Sequence, residues 1–234
     1  MVSAFAARQR LVLGQVKVAD KANEIVAIPR LLDMLAIEGA VVTIDAMGCQ
    51  RAIARKVLDK KADYIFALKG NQGTLHEDVE LFAAEQKASN FKDSTVSRAR
   101  TVDGDHGRIE TRDITVIHDI DWLQKNHRWP GLNSVVMVQS TRETGGKIER
   151  ETRFYITSLV LIASLIGPLI RDHWATRTAS IGCSIWSSEM TNVPANRSRS
   201  RKFHHIKTYG AQSHPSRTRQ GLLATKTKGR SMGR

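Results

Sequence analysis

The order of periodic segments predicts an α/β fold that carries an antiparallel β appendage and ends in an unstructured basic tail. Three observations predict it. Two apolar strand segments are separated by a helical crossover, four later segments alternate as strands around turn pairs, and all periodicity stops near Ala175.

The elements follow in order. VSAFAA and LVLGQVKV, separated by a polar RQR, read as a hairpin. EIVAIPRLLDMLAIEG reads as an amphipathic helix, with Pro29 near its first turn and Gly39 as its stop. AVVTI is an apolar run broken only by Thr43 and reads as a fully buried strand, QRAIARKVLDKK is helical, and DYIFALK returns as a second strand. A strand, a helical crossover and another strand form a βαβ unit, which implies parallel pairing. TLHEDVELFAAEQK is a further helix. STVSRARTV and GRIETRDITVIHD follow as strands, joined by the turn pair Asp103-Gly104. DWLQKNHRWPG is a short helix and turn. SVVMVQSTRE and KIERETRFYITS flank Gly145-Gly146 as a second hairpin.

Bulk properties exclude several classes. At 234 residues, with 41% hydrophobic and 25% charged side chains, the chain has the composition of a soluble globular protein. The longest apolar run, Ser158 to Ile170, is too short to cross a membrane and contains Gly167 and Pro168. MVSAFAARQR has no basic stretch ahead of its apolar residues, as a secretory signal would. Cys49 and Cys183 stand far apart, without the spacing of a zinc site or a disulfide framework. The expectation is a cytoplasmic protein with no membrane partner.

The formal charge of +13 is unevenly spread. Residues 176–234 hold twelve of the 36 Lys and Arg but one of the 23 acids, Glu189, so the body is nearly neutral. Nine serines and seven threonines in that tail, with no Asp, give a composition that cannot bury enough apolar surface to offset chain entropy. Disorder is expected there. A basic tail of this kind reads either as a nucleic-acid-binding arm or as sequence never selected as protein.

Asp45 is the sharpest functional candidate. It ends the buried strand in VVTIDAMGCQ, and an acid at the C-terminal end of a parallel strand is a common ligand or catalytic position. The same placement also suits an Asp that caps free N–H groups of the next helix. Lys69, in Lys69-Gly70-Asn71-Gln72, follows the second strand and so lies on the same strand-end face, as a DNA-backbone contact or as part of a plain turn. His106, Arg108, Glu110 and Arg112 alternate along one strand face, as a DNA-facing stripe or a set of cross-strand ion pairs. Asp63 reads as a solvated edge residue, Asp119 and Asp121 as caps of the short helix, and Trp122 and Trp129 as packing around it.

The long run IPRLLDMLAIEGAVVTIDAMGCQRAIARKVLDKKADYIFALKGNQGTLHEDVE settles more. With HGRIETRDITVIHDIDWL, WPGL, ETRFYITSL and GPLIRDHWA, it resembles the H-repeat-associated family of bacterial insertion-sequence transposases over residues 1–175. The resemblance implies a ribonuclease-H-like fold and DDE chemistry. Two aspartates and a glutamate would hold two divalent metals, usually Mg²⁺, for in-line attack on a DNA phosphodiester. It implies that Asp45 is the second acid and a metal ligand, that the ends of the insertion sequence are the DNA partner, and that the protein can form homo-oligomers. It also implies losses. The first strand with its Asp would precede Met1, leaving two unpaired strand edges. The third acid belongs to a helix after RDHW, near Arg177, with His173 as its neighbour one turn earlier.

After RDHWA the family phrase is absent. Synonymous codons for RTASIGCSIWSSEMTNV, read one base earlier after a G, give Glu-Asn-Ser-Leu-His-Trp and its family continuation. Residues 1–175 therefore read as a partial catalytic domain and residues 176–234 as out-of-frame translation. The expected function is a DDE transposase that is catalytically incomplete in this copy. The alternative is a non-catalytic, DNA-binding or interfering remnant.

Overall fold

The computed structural model describes residues 1–7, 9–18, 24–92, 94–105, 107–176 and 182–187, all within the compact unit Met1–Arg197. Five helices pack on the two faces of one nine-stranded mixed sheet. The strands are β1 (Val2–Ala6), β2 (Leu11–Val16), β3 (Ala40–Ile44), β4 (Asp63–Leu68), β5 (Val96–Asp105), β6 (Arg108–Ile117), β7 (Ser134–Thr144), β8 (Lys147–Thr157) and β9 (Gly182–Ser187). The helices are α1 (Glu24–Asp33), α2 (Arg51–Asp59), α3 (Gly73–Ala88), α4 (Asp121–His127) and α5 (Ala163–Thr176).

Across the sheet the order is β2-β1-β9-β3-β4-β8-β7-β6-β5. β3 and β4 pair in parallel with α2 as the crossover, as the apolar runs AVVTI and DYIFAL require. From β8 to β5 every neighbour is antiparallel, which is the appendage. Successive side chains point to opposite faces. Val42, Ile44, Tyr64 and Phe66 join α1–α4 in one core, whereas Val41, Ile65 and Ala67 join α5 in the other. This is a mixed α/β fold of the ribonuclease-H-like kind.

The second hairpin turns where the sequence says. Gly145 and Gly146 have φ of 56° and 79°, the left-handed pair of a tight two-residue loop. Asp103-Gly104 does not make the first turn. Both lie within β5, and the chain reverses two residues later, beside Gly107 with φ 77°. The ladder to β6 continues through Gly104↔Ile109, so backbone pairing outweighs the local turn preference of an Asp-Gly pair. Pro29 lies inside α1, and Asp63 is not an edge residue. It opens an interior strand, its carboxylate accepts from Ser158 Oγ at 2.7 Å, and burial pushes its pKa up against that hydrogen bond.

The largest difference concerns the tail. The segment Gly182–Ser187, expected to be disordered, forms β9, and the rest of that expectation lies outside the described residues. β9 runs parallel to β1 (Ala4↔Cys183) and antiparallel to β3 (Val42↔Ile185), so the two edges expected to be open are both paired. Its physical basis is backbone pairing with distant strands. Six residues suffice for a strand, unpaired backbone groups on β1 and β3 have strong need of partners, and Ile185 enters the core, 6% exposed.

The acidic face around Asp45

Thr43 and Asp45 follow Val41 at period two and so share the α5 face of the sheet. Asp45 is half-buried and stands at the N-cap of a short 3-10 turn, Ala46–Gly48, where its Oδ1 accepts from Ala46 N at 2.6 Å. The capping contact is observed, at the strand-end position that suggested a ligand. Asp45 sits at the C-terminal end of a β3 paired in parallel with β4, and it caps the turn that follows.

The loop after β4 is fastened to that turn. Asn71 Nδ2 donates to Ala46 O and Gln72 Nε2 to Cys49 O, each at 2.7 Å. Sequence reasoning took these amides as turn residues. The sequence shows two adjacent side-chain amides with donors just after a buried strand, but not which carbonyls they meet. Packing holds the turn from the other side. A methyl group at Gly48 would overlap the Ile44 side chain and meet Ile28 Cδ1 at 2.9 Å. Lys69 is exposed at the start of its own 3-10 turn and lines a cavity of about 370 Å³ with Glu151, Arg153 and Trp174.

His173 is a core residue rather than surface. It is 7% exposed on α5, its Nδ1 lies 3.0 Å from Thr43 Oγ1, and its ring meets Trp174 edge-on at 5.5 Å. The helix is thereby tied to β3 two residues before Asp45. Arg177, where the third acid was expected, lies outside the described residues.

The other candidates fall away from this place. His106 lies outside the described residues. Arg108 and Arg112 pair with Glu110 at 2.6 and 2.9 Å, so part of the stripe is a set of ion pairs. Asp119 does not cap α4. Its Oδ2 accepts from Thr95 N, and the cap position is Ile120, without a side-chain bond. Asp121 is the first residue of α4 and lies beyond that cap. Trp129 is buried, with Arg51 over its ring at 5.4 Å, and Trp122 packs edge-on against Phe82.

The family follows from the comparison of this chain with known proteins, which matches the transposase DDE domain over residues 1–224. The chain belongs to the transposase DDE domain family. Among its relatives is a Xanthobacter autotrophicus protein named "Uncharacterized protein in dhlA 3'region", 44% identical over 158 residues, 68% of this chain and 52% of that protein. "Putative transposase YncI" of Escherichia coli O157:H7 is 41% identical over 179 residues, 74% of this chain and 45% of its own length. "H repeat-associated putative transposase YhhI" of Escherichia coli K12 is 36% identical over 181 residues, covering 74% and 47%. The chain thus spans about half the length of the curated relatives it matches. No solved structure matches it.

A DDE domain implies divalent-metal chemistry in general. The described residues do not fit a metal pair. Two hard cations need several carboxylate oxygens, and among the described residues no group of three His, Cys, Asp or Glu could hold even one ion. β9, on one side of β3, brings no acid. Continuing the register Ile44↔Cys183 by one residue sets Gly182 opposite Asp45. Among the described residues no helix is long and apolar enough to cross a membrane.

Proposed function

We propose that this chain is part of a bacterial insertion-sequence transposase whose full form cuts and joins DNA at the element's ends, and that by itself it is catalytically incomplete. The observation that carries the reading is Asp45, at a strand end suited to a metal-ligating acid, without two further acids clustered beside it among the described residues. In this reading Asp45 is the second acid of the triad, Mg²⁺ is the metal of the complete site, Lys69 contacts the DNA backbone, and the complete enzyme acts as an oligomer in the cytoplasm.

Residues 1–175 are then the partial catalytic domain and residues 176–234 an out-of-frame continuation. A strand within such a continuation is physically reasonable, since backbone pairing with β1 and β3 and the burial of Ile185 support it. The excess of eleven positive charges after Ala175 favours a second reading, a non-catalytic remnant that binds DNA or joins intact transposases.

Nicking of supercoiled plasmid in Mg²⁺ or Mn²⁺ separates these readings. The wild-type chain and Asp45→Asn should give the same background. Metal-dependent nicking that disappears in Asp45→Asn would show that the chain is complete.

A further inference from the structure

On the α5 face of the appendage, strands β6–β8 and helix α5 enclose a cavity of about 350 Å³. It shares Glu151, Arg153, Tyr155 and Trp174 with the cavity that reaches Lys69. The two cavities form one strip running from the loop fastened to the Asp45 turn out along the appendage. Seven Lys and Arg side chains line the strip against three glutamates, on a body that is otherwise nearly neutral.

Three of these cations are already held by hydrogen-bonded ion pairs. Arg153 grips Glu151 through two bonds of 2.6 and 2.7 Å and lies 4.3 Å over the Trp174 ring. Arg108 and Arg112 hold Glu110. Arg142 and Arg171 are different. Arg142 stands 3.7 Å from both Glu110 and Glu149, and Arg171 stands 3.7 Å from Asp103 and 3.9 Å from Asp172. All four separations exceed hydrogen-bond length, so the carboxylates balance charge there without using the guanidinium donors. Arg142 Nε is moreover shielded from solvent with no hydrogen-bond partner among the described residues. A shielded guanidinium donor left unpaired is costly, and a planar fork of donors fits a phosphate oxygen pair.

We propose that Arg142 and Arg171 form a phosphate-binding site for the DNA backbone, at the far end of a strip that leads the strand away from Asp45. The proposal rests on the reading that the chain acts on DNA. It assigns the appendage the work of holding DNA flanking the reacting phosphodiester, separately from the basic tail. Arg108 and Arg112, bonded to Glu110, keep the floor rigid, and Arg142 and Arg171 take the ligand.

The test is the salt dependence of binding to a short DNA duplex, measured by fluorescence anisotropy with the full chain, tail included. Each phosphate contact contributes about 0.9 to the slope of log K against log salt. Arg142→Gln with Arg171→Gln should lower that slope by about 1 to 2 and weaken binding. Arg142→Lys, which keeps the charge but loses Nε, should retain the slope and bind less tightly. Arg100→Gln removes an exposed arginine paired with Asp113 on the opposite face and should change neither. A double variant that matches wild type, while wild type binds, overturns the site and leaves the tail as the contact. An equal loss from Arg100→Gln also overturns it. If the wild-type chain binds no DNA at any salt, the proposal fails together with the DNA reading beneath it.

Discussion

Ile185→Ala tests whether β9 is a working member of the sheet. Ile185 is 6% exposed, faces Val42 of β3 and Ala6 of β1 in register, and enters the core from β9. Truncating a buried isoleucine to alanine costs about 2–5 kcal/mol, depending on how far the site can collapse. Here collapse is limited, because Val42 is fully buried on a strand held on both sides. A loss of about 3 kcal/mol follows, roughly a hundredfold in the folding equilibrium and a large share of the ~5–15 kcal/mol that typically holds a domain together. Urea unfolding followed by far-ultraviolet circular dichroism measures it. Ile148→Ala, 56% exposed at the tip of the appendage, is the control and should stay within about 0.5 kcal/mol of wild type. If Ile185→Ala is equally mild, β9 is not structural and β1 and β3 present open edges.

Further outcomes follow from the same contacts. Gly48→Ala should destabilise the chain by about 1–3 kcal/mol, because the added methyl overlaps Ile44 in a packed turn; thermal melting reads this, and an unchanged midpoint contradicts the packing. Burial pushes the Cys49 thiol up to about 12, so in Cys183→Ser protein at pH 8 its alkylation should be roughly a thousandfold slower than in urea. Equal rates would place Cys49 at the surface. Burial lowers the His118 pKa from 6.5, opposed by Asp119, so the unfolded chain binds this proton more readily than the folded one. That contribution to stability is complete above about pH 6.5 and is lost as the pH falls through the folded pKa. Unfolding free energies of wild type and His118→Gln should therefore diverge between neutral pH and pH 5, and parallel curves would refute the assignment.

Much of the body was legible because its elements obey strong local rules. AVVTI and DYIFAL are apolar on both faces apart from Thr43 and the opening Asp63 and read as interior strands, and Gly145-Gly146 supplies the backbone that a two-residue loop demands. What escaped depended on partners far away in sequence. Asp103-Gly104 has the chemistry of a turn, yet the β5–β6 ladder carries it straight through. β9 offers six residues without an alternating pattern, too weak a signal to notice until β1 and β3 stand on either side of it. The burial of His173 was not legible because its partner, Thr43, is 130 residues away. Of the Asp45 site, the position of the acid at a strand end was readable. The clasp by Asn71 and Gln72 was not, since it depends on how two loops meet.

The central claim is that Asp45 marks a DDE site which this chain does not complete. Titration of the full chain with Mn²⁺, followed by electron paramagnetic resonance and compared with Asp45→Asn, tests it most directly. The account predicts no tightly bound pair of ions and no difference between the two proteins. Two Mn²⁺ per chain, lost together in Asp45→Asn, would contradict it.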